Sequence, residues 1–417
     1  MAEVTRLALG QATDAAGLAA RLRDLVPSAA DVSAAAAQIV ADVRAGGDGA
    51  LMRCAQEHDG VVEGVGARVS AAELAQALSE LDADVRGALE LAIENVAAVA
   101  RAGLGADVDV DLPQGQRVRL REIPVARAAI YVPGGRAPYP SSVVMGAVTA
   151  REAGVSDVVV CAPGGHPVIL AACALCGVDE VYRVGGAHAI AALAYGTESI
   201  ARVDVIAGPG NLWVQEAKRL VSGEVGIDGF AGPSDVLVLA GAGADAELVA
   251  LDLLAQAEHG EGSIAVAVSD DASLLGEVET RLSAAADSGA AMALVTVADM
   301  EAGLALAEAF APEHLELQGP AAEALASRVR SAGCLFVGVA GATAFGDYVA
   351  GSNHTLPTGG AARFASGLNV RHFRRRMSEV HIGGAAGALA GPGALIARAE
   401  GFDVHATSME VRENQSR

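Results

Sequence analysis

The chain is short of several residue types on which common functions depend. Lys218 is the one lysine in 417 residues, and no Gly-Lys-Ser/Thr triplet occurs, which excludes a Walker-type phosphate loop. Schiff-base chemistry would have to use Lys218, yet Glu216-Ala-Lys-Arg-Leu220 reads as the solvated surface of a helix. Aromatic residues make up 3% of the chain, too few for the stacking platforms on which nucleic-acid bases lie. A basic excess is missing too: the net charge is -22, which repels phosphate backbones and anionic lipid. Neither a nucleic-acid nor a membrane partner is expected. Apolar runs are broken. The stretch 158–178 is interrupted by Pro163-Gly-Gly-His-Pro167, and 381–397 by Gly383-Gly384 and Gly391-Pro-Gly393, so neither reads as a membrane span.

Cysteine is sparse and odd in number: Cys54, Cys161, Cys173, Cys176 and Cys334. With no secretory leader at the start, the count points to a reducing compartment and a cytoplasmic protein. Cys173-Ala-Leu-Cys176 has redox or zinc spacing, but it has no second pair and sits in an apolar run, so it reads as core. Cys334, in Cys-Leu-Phe-Val-Gly-Val, reads as buried strand.

What is present is apolar: 52% hydrophobic against 19% charged, enough for a large core. The length suggests two or three domains. Residues 13–103 have apolar residues at helical spacing, and 106–125 read as polar strand or loop. Short β-branched runs follow at 128–132, 157–161, 180–184 and 203–207, separated by helix-like segments near 141–153, 167–177, 187–196 and 211–222. A second series has strands at 235–240, 264–268, 293–298, 314–317 and 334–339, with helices near 244–259, 272–286, 300–310 and 321–332. Repeated β-α alternation calls for parallel sheets covered on both faces. The fold class is therefore α/β: two incomplete Rossmann-like, doubly wound units facing each other, with a helical N-terminal region and a small C-terminal tail. Residues 340–370, rich in Gly and Asn, read as an ordered functional loop.

In the first series the strands end in glycine: Pro133-Gly-Gly135, Gly185-Gly-Ala-His188 and Gly208-Pro-Gly-Asn211. Turns use glycine in any case, but three such loops at one sheet edge favour a ligand crevice, where a helix N-terminus suits an anion such as a pyrophosphate. No Gly-x-Gly-x-x-Gly follows the first strand, so a dinucleotide would be held differently from the usual way.

Ionisable groups gather in the second half. Gln256 and His259 are three apart on one helical face before Gly260; they can share a ligand, or His259 can simply cap the helix. Adjacent Glu313 and His314 can transfer protons near neutral pH, or form a surface pair at a strand start. Asp347 is a ligand or an Asx turn. His354 lies in the same Gly-rich loop, and Glu400 and His405 stand near the C-terminus. Gln256, His259, Asp347 and His405 together offer the mixed nitrogen and oxygen ligation that suits zinc or another divalent ion, and with no thiolate the site reads as catalytic with open positions.

Taken together these motifs resemble the histidinol dehydrogenase family over roughly residues 20–412. The resemblance rests on Tyr131-Val-Pro-Gly-Gly, Tyr139-Pro-Ser-Ser-Val-Val-Met, Val184-Gly-Gly-Ala, Ala194-Tyr-Gly-Thr-Glu-Ser and Gly208-Pro-Gly-Asn. It rests equally on Ala231-Gly-Pro-Ser, Gln256-Ala-Glu-His, Pro312-Glu-His-Leu-Glu, Gly346-Asp-Tyr, Gly351-Ser-Asn-His-Thr-Leu-Pro-Thr and Glu400-Gly-Phe-x-x-His. It implies two successive NAD-dependent oxidations, L-histidinol to histidinaldehyde to L-histidine. One zinc ion per subunit would be held by Gln256, His259, Asp347 and His405. His314 would take the hydroxyl proton and Glu313 would activate water. Ser234, His354 and Glu400 would join Gln256, His259, His314, Asp347 and His405 in contacting substrate. Tyr131, His188 and Asn211 would contact the nucleotide.

The resemblance also implies a homodimer with a shared active site, His354 and Glu400 reaching the partner's site. It divides the chain into an N-terminal arm (1–25), a helical region packing with the second α/β unit (26–125), an NAD-binding unit (126–234), a metal and catalytic unit (235–370) and a dimer-crossing tail (371–417). Three positions depart from the family: His188 where Gln is usual, Asp235 where Glu is common, and Gly146 where Asn is frequent. A related dehydrogenase acting on another amino or hydroxy alcohol remains the alternative. A zinc hydrolase would leave the three Gly-rich loops unused, and a non-catalytic binder would have no need of Glu313 and His314.

Overall fold

The computed structural model describes residues 4–10, 14–26, 32–62, 66–134, 137–229 and 234–413. Strand β1 (Val4–Ala8) precedes four helices, Ala15–Arg23, Ser33–His58, Ala71–Glu80 and Ala83–Ala102. β2 (Val108–Asp111) and β3 (Arg117–Pro124) follow. The first α/β series supplies β4 (Arg127–Tyr131), β5 (Asp157–Cys161), β6 (Glu180–Tyr182), β7 (Val205–Ala207) and β8 (Gly226–Ile227). The second supplies β9 (Asp235–Ala240), β10 (Ile264–Ser269), β11 (Ala291–Thr296), β12 (His314–Gln318) and β13 (Cys334–Val337), and β14 (Arg374–His381) comes late.

Two parallel sheets result, with strand orders β6-β5-β4-β7-β8 and β1-β11-β10-β9-β12-β13. Their central strands are almost wholly buried and mostly Val, Leu, Ile and Ala, as expected where helices cover both faces, while the edge strands β1, β8 and β13 are part-exposed. Helices Ala71–Glu80, Ala83–Ala102 and Pro167–Leu175 share one core with the first sheet, and Ser33–His58, Gly186–Tyr195 and Leu212–Val221 share the core on its other face. The helical region thus packs on the first α/β unit, not the second as expected; its Ala-rich apolar faces do not encode which sheet they meet. The second sheet is covered by Ala15–Arg23 and Met300–Phe310 on one side, and by Ala246–Ala257 and Ala272–Ala284 on the other. β1, expected as part of an arm, extends this sheet by pairing with β11.

The remaining strands form an antiparallel sheet, β14-β3-β2, in the register Arg374↔Pro124 to His381↔Arg117. Arg374, Arg375 and Arg376 therefore pair within their own chain, and cross-strand charges support the sheet: Arg121 to Glu379 at 3.2 Å, and Arg376 to Glu122. Beyond it, helices Ala386–Ala399 and Asp403–Glu410 pack against each other through Ala394, Ala397 and Ala406. They leave Leu395 and Val404 71% and 82% exposed. The helix expected near 321–332 reduces to Pro320–Glu323 and a short turn at Ala326–Arg328. Gly135 and 231–233 lie outside the described residues.

Two glycines are fixed by close approach. A Cβ on Gly146 would sit 2.4 Å from Ile130 Cγ2 of β4, which accounts for the small residue there. Gly208, at φ +124°, would place a Cβ 2.1 Å from the Tyr131 carbonyl oxygen.

Candidate active site

The reactive groups of the second unit lie where β9 and β12 begin. Asp235 opens β9, His314 opens β12, and the two strands are neighbours. The Asp235 amide donates to Glu313 Oε2 at 3.1 Å, and the Glu313 amide donates to Asp235 Oδ1 at 2.6 Å. Asp235 Oδ2 faces Arg23 Nη1 at 3.5 Å, and the Arg23 guanidinium lies 4.2 Å over the Phe310 ring. His314 Nδ1 is 3.3 Å from the Asp235 carbonyl oxygen. A carbonyl only accepts, so Nδ1 carries the proton and Nε2 is left as the basic nitrogen, 3.7 Å from Asp347 Oδ1. Burial lowers the His314 pKa, with Asp347 opposing, so the imidazole is neutral and available as a base. Burial, and then the nearby Asp235 charge, push Glu313 well above the ordinary carboxylate range. Once ionised it is a stronger base than a solvated glutamate.

Around this pair the structure assembles most of the predicted site. Gln256 is buried in the last turn of Ala246–Ala257 and donates through Nε2 to Ser234 Oγ at 2.8 Å, which leaves its amide oxygen as an acceptor. His259, just past that helix, is solvent-facing; the protein around it still lowers its pKa by desolvation, while Asp347 favours its charged form. Asp347 lies on Thr343–Tyr348, and its carbonyl oxygen accepts from His354 Nδ1 at 2.9 Å. His354 Nε2 meets Ser142 Oγ of the first unit at 3.3 Å. Asn353 donates to the Met145 carbonyl oxygen at 2.9 Å, and Asn95 to the Val349 carbonyl oxygen at 2.8 Å, so the loop is fastened to the first unit. His354 therefore belongs to its own chain's cluster, contrary to the expectation that it reaches a partner; backbone contacts seven residues apart fold it back.

Two predicted residues stand elsewhere. Glu400 and His405 are exposed on the tail, and the His405 ring packs edge-on against Phe402 at 5.1 Å. Within one chain the set Gln256, His259, Asp347 and His405 does not converge, and among the described residues no three His, Cys, Asp or Glu side chains form a metal-holding group. Gln256, His259 and Asp347 do supply an amide oxygen, an imidazole and a carboxylate on neighbouring elements, a donor set that fits a borderline divalent ion.

In the first unit a cleft of about 500 Å³ lies at the carboxyl ends of the strands, lined among others by Tyr131, His188, Asn211, Asp59 and Trp213. Tyr131 Oη accepts from the Gly186 amide at 3.0 Å. One oxygen of Asp59 accepts from the Gly185 amide at 2.8 Å and meets His188 Nε2 at 2.8 Å. Asn211 Oδ1 caps Leu212–Val221 by accepting from the Trp213 and Val214 amides at 3.1 and 3.2 Å. Side chains thus already occupy these helix starts, which are less open to a pyrophosphate than the glycine pattern implies.

Lys218 is not surface. It is 1% exposed, donates to the Gly208 carbonyl oxygen at 3.0 Å and pairs with Asp228, whose second oxygen accepts from the Gly208 amide at 2.7 Å. The lone lysine clamps the loop that leads to Asn211. Sequence reasoning missed this pair, along with Asp59, the positioning role of Asp235, and Glu316. A usable signal existed for two of them: Asp235 opens a strand of Val and Leu and Glu316 stands between two leucines, positions where an acid is buried only with partners. Cys173 and Cys176 are buried core, and burial raises both thiols.

A nucleotide-sized cleft on one parallel sheet, together with a buried Glu-His pair on the other, defines an α/β protein of the dehydrogenase kind. The histidinol dehydrogenase family profile matches residues 25–413, and the chain belongs to that family of enzymes. A histidinol dehydrogenase from Bradyrhizobium diazoefficiens is 44% identical over 407 residues, covering 93% of this chain and 94% of the relative. One from Nocardia farcinica is 45% identical over 399 residues, covering 90% and 89%. The crystal structure of histidinol dehydrogenase from Elizabethkingia anophelis superposes with a TM-score of 0.89 at 28% identity, covering 98% of each chain. An acetylating aldehyde dehydrogenase from Geobacillus thermoglucosidasius shares the fold, with a TM-score of 0.50 at 14% identity and coverage of 88% and 97%. Among the described residues no helix is long and apolar enough to cross a membrane.

Proposed function

We propose that this enzyme oxidises L-histidinol to L-histidine through histidinaldehyde, in two NAD-dependent steps at one zinc-containing site. The observation that carries this reading is His314, with Nδ1 tied to the Asp235 carbonyl and Nε2 directed at Asp347, beside a buried Glu313. One such pair serves both half-reactions. In the first, His314 Nε2 takes the hydroxyl proton as the alcohol carbon loses a hydride. In the second, Glu313 takes a proton from the water that adds to the aldehyde, and the resulting hydrate loses the second hydride. Overall, one histidinol, two NAD and one water give histidine and two NADH, with the released protons passing to solvent.

NAD, when bound, supplies the hydride acceptor; Tyr131, His188 and Asn211 line the cleft where it would lie. Zinc, when bound, orients the amino alcohol and strengthens the polarity of the site. Gln256, His259 and Asp347 would hold it from one subunit. Because His405 and Glu400 are exposed and remote from that set in their own chain, we assign them to the site of the other subunit in a homodimer. The exposed Leu395 and Val404 on the same tail suit such an interface. Ser234, through its bond to Gln256, and His354, through its place beside Asp347, line the substrate side.

The test is NADH formation from L-histidinol, measured by absorbance on the dimeric enzyme before and after chelation and after zinc is restored. Two NADH per histidinol, lost with chelation and regained with zinc, is the expected result. Metal-loaded dimer that forms no NADH overturns the assignment.

A further inference from the structure

Glu316 is completely buried on β12, two residues after His314, so both side chains leave the strand on the same face. Its Oε1 accepts from the Thr343 amide at 2.9 Å and from Thr343 Oγ1 at 2.7 Å. Its Oε2 accepts from Gln318 Nε2 at 3.0 Å, and that same nitrogen donates to Asp252 Oδ2 at 2.9 Å. Gln318 Nε2 therefore bridges two neighbouring carboxyl groups, a pair that favours holding one proton between them. Burial, and then the Asp252 charge, push Glu316 up to about 8, so it holds that proton at neutral pH.

Each member of this network lies on an element that carries a site residue. Asp252 is one turn before Gln256 on Ala246–Ala257, on the same helical face. Thr343 is one turn before Asp347 and opens its helix, which has no side-chain cap of its own. Glu316 joins them to the strand that begins with His314. None of the three is part of the site described above, and an acid sealed in the core at this junction calls for a role.

We propose that Asp252, Glu316 and Thr343, with Gln318 bridging the two acids, form a hydrogen-bonded tie that fixes Gln256, His314 and Asp347 relative to one another and thereby sets the affinity of the site for zinc. The proposal rests on the metal assignment made above. Glu316 is a positioning residue: it acts through the elements it joins. A neutral hydrogen-bonding side chain meets the requirement: it needs an acceptor for Thr343 and a donor toward Asp252 and toward the Gln318 amide oxygen, which is otherwise buried without a partner and turns to accept it. Gln supplies both; Ala supplies neither.

The experiment measures Zn2+ affinity by competition with a chromophoric chelator on the dimeric protein at pH 7, with thermal unfolding of the metal-free protein recorded alongside. Glu316→Ala is expected to weaken zinc binding by about 10–100-fold, the usual cost of losing an outer support of a metal ligand. Glu316→Gln is expected to stay within about threefold of the wild type, whereas Glu316→Met, which fills similar space without hydrogen bonding, is expected to weaken binding as Glu316→Ala does. Asp252→Ala removes the tie from its half-exposed end without opening the core. It is expected to weaken zinc binding by about tenfold, and it decides the matter if Glu316→Ala does not fold. Wild-type zinc affinity in Asp252→Ala, or a Glu316→Gln variant as weak as Glu316→Ala, overturns the tie. Asp347→Ala is the control. If it binds zinc normally, the metal assignment fails and the tie with it; if it loses zinc while Asp252→Ala does not, the tie alone fails.

Discussion

Asp235 and Glu313 exchange main-chain to side-chain hydrogen bonds at 3.1 and 2.6 Å, each amide donating to the other residue's carboxyl group. This reciprocal pair joins the first residue of β9 to the residue preceding β12. It fixes the Glu313 carboxyl group while raising its proton affinity, and the Asp235 carbonyl sets the tautomer of His314. One buried aspartate therefore positions both residues proposed for proton transfer.

Glu313→Gln is expected to slow aldehyde oxidation by about 10²-fold or more while alcohol oxidation falls much less, since only the second step activates water. Separate rates with histidinol and with histidinaldehyde settle this. Equal losses in both would argue against the water-activating role.

His314→Ala is expected to reduce turnover with histidinol by about 10²–10⁴, the range of a general base. Its effect on binding should be smaller, because the loss falls on proton removal. A variant within a few fold of wild type would remove His314 from the mechanism.

His405→Ala and His314→Ala homodimers should each be nearly inactive, but co-expressed subunits should regain activity. In a mixed dimer one of the two sites combines an intact His314 with an intact His405. Tagged heterodimers purified and assayed for NADH formation test this; no recovery would mean that His405 serves its own chain or none.

Lys218→Met leaves Asp228 buried without its cation and the Gly208 carbonyl without a donor. Breaking a buried pair from one side costs about 3–5 kcal/mol, and urea unfolding should show a loss of that order. NAD affinity should fall as well, since the released loop leads directly to Asn211.

Stability should also carry a pH signature from Glu316. Its carboxyl group has a folded-state pKa of about 8 against an unfolded reference of 4.5. Above pH 4.5 the unfolded chain gives up this proton while the folded chain keeps it. The group's contribution is therefore complete below about pH 4.5 and declines as pH rises toward 8. Glu316→Gln lacks this slope. Urea unfolding at pH 5 and pH 8.5 should show a smaller decline in the variant than in the wild type; identical declines would contradict the assignment.

Much of this was legible beforehand because strand identity is written locally. β5 and β9 fall on the residues expected, since unbroken β-branched runs bounded by turn residues leave little choice. Gln256, His259, Glu313, His314 and Asp347 stood out as polar residues among Ala, Val and Leu. Destination was not legible. The amphipathic faces of Ser33–His58 and Ala83–Ala102 specify burial but not the sheet that buries them, and the pairing of β14 with β3 depends on contacts some 250 residues apart. Lys218 misled because a lysine in a charged helical stretch looks solvated until the loop folded over it is known. His405 shows the same limit: its spacing is local, while the site we propose it completes is that of a second subunit.

The sealing of Lys218 also has a practical outcome. With the sole lysine enclosed by Asp228 and Gly208, reagents directed at side-chain amines find no accessible target on the folded protein. Acetylation, succinimide dyes and amine cross-linkers should leave this side chain unmarked until the loop opens, so labelling at position 218 would report unfolding around the first-unit cleft.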